Sequence, residues 1–577
     1  MQQFTGKSLT KKNVIGPCFI YTMDEIRIQD KKLPLDELKQ ELLKFQSTLE
    51  IAETQYKRIT EDFVKGEAPE ICEIFDALKI ILKDPQFISK VSSEIQDNQH
   101  TAEFAIEIVL EDYATRIEST SDSYLQQRAS DIRDIKSFLL ELLSGKFTSQ
   151  IKPNSPSIII AKELFVTDLA RIGRKRILGI VLENGAFTSH LAIVVKSMGI
   201  PLLIECNEIL SQVKNGTQSI INGEEGKLII NPTQEIIDHI KKKIAINSEM
   251  EENLKQISAD KAITTDGRRI IVAGNAANLK EVEKTIENGG EGIGLFRTEL
   301  LYTELSSLPT KESLIEIFQK VSQKCLPNDV IIRTLDLGSD KSIPSLFMEE
   351  EANPALGVRG IRLTDKNPYL IKTMIQALIL ANKNGNLKMM IPMISLIEEI
   401  QAINQLVMKT KEELNYKDEL SIGIMIETPS AAILSDKFIR CVDFFSIGTN
   451  DLTQYVMAAD RINPNVSIFL SHFQPSILRL IREVVINAHK EKKWVGICGE
   501  MASNFASIPI LIGLGIDELS LNTEDIPKVK FVVRQSNYEE LRVWVENLLE
   551  LENSSEIQKQ AQKKLEELIE PSKLCFF

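Results

Sequence analysis

Three arginines carry the strongest chemical signal in this chain: Arg297 in GLFRTE, Arg333 in IIRTLDLG and Arg461 in AADRIN. A guanidinium fork meets a phosphate or a carboxylate bidentately, so together they predict a small phosphorylated acid as ligand. Taken singly, each could instead neutralise a neighbouring carboxylate. Glu427 and Asp451 offer two hard oxygen ligands, the number magnesium usually takes from protein while phosphate oxygens and water complete its octahedron. Cys498, in GICGE, bears a thiol that with an ordinary pKa of about 8.5 stays mostly protonated at neutral pH and can give up a proton. Its alternative is a small buried hydrophobe. His190 follows Gly185, Thr188 and Ser189 in GAFTSHLAIVVKSMGIP and opens an apolar helical run. A histidine so placed has one ring nitrogen free to attack, and helix N-terminal amides can hold an arriving phosphoryl group, which makes it a candidate covalent nucleophile. His100, His239, His472 and His489 lie on charged helical or loop segments and read as surface or satisfied residues.

These groups need a scaffold. Eight short apolar runs, most separated by helix-length segments, occupy the second half of the chain: RRIIVAGN, GIGLFRTE, VIIRTLD, KMMIPMI, IGIMIET, DFFSIGTND, VGICGE and ELSLNT. Strand and helix alternating eight times predict a (β/α)8 barrel. Asn275, Arg297, Arg333, Glu427, Asn450, Asp451 and Cys498 fall at or just after the predicted strand ends, and in such a barrel the C-terminal ends of the strands converge on one mouth. Upstream, Leu33 to Leu143 reads as helix throughout, with apolar residues three and four apart. From SQIKPNSPS onward short β-branched runs (SIIIA, ILGIVLE, GIPLLI, SIINGE, KLIINP) predict a small α/β domain. Because NVIGPCFIYT near the start is also strand-like, the helical block reads as an insertion splitting that domain. The polar helix expected from Gln234 to Ala262 reads as a connecting arm.

Composition sets the boundaries of this reading. The chain has 577 residues and a formal net charge of −14, which argues against binding nucleic acid or anionic membrane surfaces. It favours a basic partner. No apolar run approaches the roughly 18 residues of a membrane span, and the N-terminal MQQFTGKSLTKKN lacks the apolar core of a signal peptide. Seven scattered cysteines without a CxxC pair indicate neither a disulfide framework nor a zinc site, so a cytoplasmic location is expected.

The motifs GAFTSHLAI, GIGLFRTE, RTLDLGSDK, EANPALGVRGIR, IMIETPSAA, FFSIGTNDLTQY and GICGEMA resemble those of the enzyme I family of the bacterial phosphoenolpyruvate-dependent phosphotransferase system. The resemblance spans essentially the whole chain and is strongest from Thr265 to Thr523. It implies a multidomain α/β fold: a phosphohistidine domain at 1–30 and 147–233, a helical insertion at 31–146 that docks the carrier HPr, a linker helix at 234–262, and a phosphoenolpyruvate-binding, homodimer-forming TIM-like barrel at 263–577. It further implies that His190 is phosphorylated by phosphoenolpyruvate through Nε2. Arg297, Arg333, Asn450, Asp451 and Arg461 would bind that substrate, with Thr188, Lys341 and Arg359 in support. Glu427 and Asp451 would hold Mg2+, and Cys498 would protonate the enolate at C3 to give pyruvate. The phosphoryl group would pass to a histidine of HPr in the first step of sugar uptake, after a swivel about the connecting arm.

Several positions depart from the family pattern. Gly185-Ala186-Phe187 stands where two glycines and a smaller residue are usual, Lys196 replaces an arginine, Ser339 a glycine, and Leu78 and Lys83 a histidine and an acidic residue. A regulatory phosphorelay enzyme that signals phosphoenolpyruvate supply without sugar transport is the alternative reading. A dikinase or synthase of the same modules would need a further nucleotide-binding domain, for which no glycine-rich loop is present.

Overall fold

The computed structural model describes all residues except 23–27, 65–78, 120–128, 146–151, 186–189, 304–307, 339–350, 571–572 and 575–577. The chain divides into two compact units, Met1–Ala245 and Ile246–Phe577.

The first unit is built on eight strands: β1 (Gln2–Thr5), β2 (Lys7–Ser8), β3 (Asn13–Ile20), β4 (Ser157–Ala161), β5 (Ile177–Leu182), β6 (Leu202–Ile204), β7 (Gln218–Asn222) and β8 (Lys227–Ile230). They form one sheet in the order β1-β8-β7-β3-β4-β5-β6-β2. The β-branched run SIIIA is buried along its whole length as β4, as expected of a strand covered on both faces. Cys18, Phe19 and Ile20 of β3 pair in parallel with Ile158, Ile159 and Ile160 of β4. Residues far apart in sequence are therefore sheet neighbours, and the stretch between them is helical in α1 (Leu38–Val64), α2 (Pro85–Gln96), α3 (Ala102–Glu118) and α4 (Ala129–Leu143). Side chains of Asp84 and Thr101 accept from the amides of Gln86 and Phe104, capping α2 and α3. Lys136 of α4 reaches Glu107 at 2.9 Å and Glu111 at 2.7 Å on α3. Apolar contact is the larger attraction: Ile106, Ile135 and Leu139 are fully buried. Two buried carboxylates tie the helix Val166–Ile172 to its surroundings, one from the helical block and one on that helix. Asp134 of α4 accepts from the Thr167 hydroxyl at 2.7 Å, and Asp168 accepts from the Tyr21 phenol at 2.7 Å. Later in the unit, α5 (His190–Ser197) begins at the candidate nucleophile.

Helix α6 (Gln234–Ser258) crosses the division between the units. Its Ile240 packs with Ile220 and Ile229 of the first unit, while Met250 and Leu254 join the core of the second.

The second unit contains β9 (Ile271–Ala276), β10 (Ile293–Phe296), β11 (Val330–Arg333), β12 (Leu387–Ile391), β13 (Ile422–Ile426), β14 (Phe444–Ile447), β15 (Val495–Ile497) and β16 (Glu518–Leu521). These close into a barrel of parallel strands in sequence order. All eight expected runs are strands, and the (β/α)8 expectation is borne out. β13 and β14 are buried at every position, as suits parallel strands covered on both faces, and closure leaves no strand edge facing water. Leu295, Ile331, Met390, Met425 and Phe444 fill the barrel interior, and Phe444 stacks on Trp494 with ring centroids 4.5 Å apart. Outside, helices such as Pro475–Lys490 bury Ile477, Leu478, Ile481 and Val484 on one face. At the end of α6, the buried Lys530 ammonium donates to the carbonyls of Ser258 and Asp260 at 3.0 and 2.7 Å, satisfying helix C-terminal acceptors that would otherwise lack partners.

Candidate functional site

The C-terminal ends of the barrel strands surround a cavity of about 340 Å³ lined by Arg297, Arg333, Glu427, Asn450, Asp451, Arg461 and Cys498. Each arrives by a short path. Arg297 directly follows β10 and its amide donates to Ala276 at 2.8 Å. Arg333 ends β11, Glu427 follows β13, and Cys498 follows β15. Asn450 and Asp451 occupy the first turn of the helix Thr449–Val456 that succeeds β14. Barrel closure thus gathers residues that are two hundred positions apart.

The arginines divide into two kinds. Arg333 is paired with Glu299 at 2.9 Å and Asp336 at 3.1 Å. Burial pushes its guanidinium down, yet Glu299 and Asp336 outweigh that and hold it above the usual arginine range. Arg359 binds Asp336 through two nitrogens and meets Asp451 at 3.2 Å, while Arg461 stands 3.5 Å from the other oxygen of Asp451. These three arginines therefore satisfy the carboxylate-pairing alternative at least in part. Arg297 does not: it is exposed and has no carboxylate partner among the described residues. It is the cation most readily available to a ligand anion. Arg297→Met is expected to weaken binding of a small phosphorylated acid by about 100-fold, the worth of roughly 3 kcal/mol in charge-assisted hydrogen bonds. The thermal midpoint should not move, because no internal partner is lost. Titration calorimetry and a melting curve on the same preparation check both halves.

Glu299 and Asp336 are the functional residues that sequence reasoning passed over. The signal was present: each carboxylate lies two or three positions beyond a candidate arginine, in the same strand-end loop.

Glu427 is fully buried. Its Oε1 accepts the Met393 amide at 2.5 Å, but Oε2 has no hydrogen-bond partner among the described residues. Burial first, and then Asp336 and Asp451, push its carboxyl up to about 8. Leaving a carboxylate oxygen buried and unpartnered is costly. A cation at that oxygen would remove the cost. Gly448 keeps the approach open, since a Cβ there would sit 3.0 Å from Oε2. Asp451, 7 % exposed, supplies the second carboxylate of the same cavity. Two hard oxygen donors facing a space where phosphate oxygens could complete an octahedron fit magnesium. No group of three or more potential metal ligands occurs among the described residues.

Cys498 is 4 % exposed, and burial raises its thiol to about 11. It is therefore protonated at neutral pH and suited to giving a proton rather than to nucleophilic attack. Its sulfur donates to the Ile447 carbonyl at 3.6 Å. Asn275, near the end of β9, donates to the Cys498 carbonyl at 3.3 Å and accepts from Ser520 at 2.7 Å. Asn450 accepts the Glu500 amide at 3.0 Å.

His190 lies in the first unit, at the start of α5. Thr188 and Lys341 lie outside the described residues, as do Leu78, Ala186, Phe187 and Ser339. Lys83 pairs with Glu53 at 2.5 Å, and Lys196 is exposed. Among the remaining histidines, His100 meets Glu94 at 2.9 Å and His489 meets Asp517 at 2.8 Å. His472 has a buried Nδ1 with no hydrogen-bond partner among the described residues.

Comparison with known proteins covers nearly the whole chain. Residues 5–128 match the family model for the N-terminal domain of PEP-utilising enzymes, 153–226 that for their mobile domain, and 251–538 that for their PEP-binding domain. A phosphoenolpyruvate-protein phosphotransferase of Listeria innocua serovar 6a is 36% identical over 560 residues, covering 96% of this chain and 97% of that protein. The protein of the same name from Priestia megaterium is 34% identical, covering 96% and 98%, and that from Bacillus subtilis is 33% identical, covering 93% and 95%.

Proposed function

Because this chain belongs to the family of phosphoenolpyruvate-protein phosphotransferases, and is thus a transferase acting on phosphoenolpyruvate, we propose that it moves the phosphoryl group of that substrate to its own His190 and then to a histidine of the carrier HPr. The observation that carries this reading is one cavity holding a guanidinium and a buried carboxylate oxygen that have no partner among the described residues, together with a protonated thiol. Phosphoenolpyruvate asks for those three things: charge neutralisation at phosphate, a hard cation, and a proton for C3.

Arg297, with Arg333, Asn450 and Arg461, binds the phosphate and carboxylate, and Arg359 holds Asp451 in position. Glu427 and Asp451 would hold magnesium, which when bound neutralises charge on the phosphoryl oxygens. Nε2 of His190 attacks phosphorus as the bond from phosphorus to the enol oxygen breaks, and this needs the nitrogen within about 3 to 3.5 Å. The electron pair left on the enolate takes the Cys498 proton at C3, and pyruvate leaves. Residues 1–30 and 147–233 form the phosphohistidine domain in this reading, 31–146 the carrier-docking insertion, 234–262 the arm about which the nucleophile moves, and 263–577 the barrel through which two copies pair. Parallel pairing of β3 with β4 around the helical block supports that division. In this reading the enzyme works in the cytoplasm and opens sugar uptake; no helix among the described residues is long and apolar enough to cross a membrane.

Incubating the protein with phosphate-labelled phosphoenolpyruvate and magnesium tests the reading. One pyruvate should appear for each phosphoryl group retained, the label should be acid-labile and base-stable, and it should leave on addition of purified HPr. Pyruvate without retained label would refute the proposal.

A further inference from the structure

A thiol that gives its proton to carbon is left as a thiolate, and a second turnover requires that the proton be replaced. Cys498 lines the cavity with Glu427, the carboxylate assigned to the cation, and on its other side, inside the barrel, it has few neighbours that could do so. Leu295, Ile331, Met390, Met425 and Phe444 pack around it inside the barrel, and none has a proton to give. The Ile447 carbonyl, its acceptor, has none either. Of the two hydroxyls on the adjoining inner strand faces, Ser520 already donates to Asn275 at 2.7 Å. Ser446 is 1 % exposed, its hydroxyl lies close enough to the thiol to favour its ionised form by hydrogen bonding, and its Oγ has no other hydrogen-bond partner among the described residues.

Two strands from Ser446, in register with it through Gly496, stands an acid that the mechanism above does not use. Ser446 of β14 is the in-register partner of Gly496 on β15, which is in turn the partner of Glu518 on β16. Gly496 lacks a side chain, and a Cβ there would lie 3.1 Å from Glu518 Oε1. The carboxyl therefore occupies space beside Gly496, the register position between Glu518 and Ser446. Gly294 makes the same allowance from β10, where a Cβ would be 2.6 Å from that oxygen. Glu518 is 6 % exposed, and Oε1 has no hydrogen-bond partner among the described residues. Burial, countered by Lys388 and reinforced by Asp329 and Asp517, raises its carboxyl to about 7. It can therefore both hold and release a proton near neutrality. At the N-terminal end of the barrel Lys388 and Asp329 pair at 2.7 Å with their side chains 20% and 50% exposed, which joins this end of the interior to bulk water.

We propose that Glu518 and Ser446 form a proton-resupply path that runs up the barrel interior to Cys498. The path rests on the role of Cys498 set out under Proposed function. After the S–H bond breaks and the C3–H bond forms, the thiolate takes the Ser446 hydroxyl proton. Ser446 takes the Glu518 proton, directly or across one water, and the Glu518 carboxylate recovers a proton from solvent at the N-terminal face. The reverse sequence discharges the thiol when pyruvate is converted back. Both residues act through Cys498 and touch no substrate atom.

Isotope exchange separates this role from a structural one. With phosphoenolpyruvate, carbon-labelled pyruvate and magnesium in deuterium oxide, carbon exchange needs no fresh proton, because each returning pyruvate yields its own to the thiolate. Deuterium entry at C3 does need exchange at the thiol. In Glu518→Gln and Ser446→Ala, carbon exchange should stay within about twofold of the parent while deuterium entry relative to it falls at least about tenfold, with added formate restoring entry in Glu518→Gln. An unchanged ratio in both variants, or carbon exchange and deuterium entry falling together, would overturn the path. Cys498→Ala tells the two readings apart: if it supports carbon exchange at the parental rate, the thiol is not the proton donor. If it does not, and Glu518→Gln is normal, only the resupply path fails.

Discussion

His190→Ala is expected to retain no phosphoryl group when incubated with labelled phosphoenolpyruvate and magnesium, whereas the parent chain takes up one per molecule. The argument is chemical exclusion. Four other histidines exist, but His100 and His489 are occupied by Glu94 and Asp517, His239 lies on α6, and none of the four opens a helix where amide groups face an arriving anion. Cys498 cannot substitute, since it is buried and protonated. Because Arg297, Arg333 and Arg461 belong to the second unit, the variant should still bind phosphoenolpyruvate with parental affinity. Acid-labile label counted on a filter, beside a calorimetric binding curve, reads both. Label retained by the variant would remove His190 from its role.

Glu427→Gln is expected to lower the initial phosphorylation rate by about 10² to 10³-fold without lowering the thermal midpoint. Glutamine has the same shape, and its carbonyl oxygen can accept the Met393 amide that Glu427 Oε1 now accepts. What changes is the partnerless oxygen: an amide nitrogen cannot bind a cation and brings no charge. Loss of one preorganised electrostatic contact to a transition state costs about 3 to 4 kcal/mol. Stability should move the other way or stay level, because the variant no longer buries a carboxyl that its surroundings hold up to about 8. Rates measured across magnesium concentrations should lose most of their saturable dependence. Parental rate and magnesium response in this variant would remove Glu427 from the cation site.

Much of the architecture was legible before any coordinates. The eight barrel strands follow from runs such as VIIR and IGIMI, because a parallel strand covered on both faces must be apolar throughout, and the helical block follows from its three- and four-residue spacing. The splitting of the first sheet could be inferred only from NVIGPCFIYT being strand-like, since pairing partners are not written in sequence. Of the site, the residue types were legible and their states were not. Arg297, Arg333 and Arg461 look alike in a strand-end motif, yet Glu299 and Asp336 occupy one and none of the described carboxylates occupies Arg297. The arm likewise reads as polar, and only packing shows Ile240, Met250 and Leu254 turned inward.

The sequence by itself determined which chemistry this protein can perform. Forked cations, hard oxygen donors, a thiol and a histidine behind a hydroxyl pair can serve a phosphorylated acid wherever they converge. Only the tertiary structure decided which of those groups are already satisfied. Ion pairing and desolvation depend on distances across neighbouring strands, and closure of the barrel sets those distances: it places Asp336 between Arg333 and Arg359, leaves Glu427 Oε2 without a partner among the described residues, and buries Glu518 beside two glycines. A carboxylate surrounded by water and one facing a barrel interior are the same letter, and their charge differs because of what the fold removes from around them.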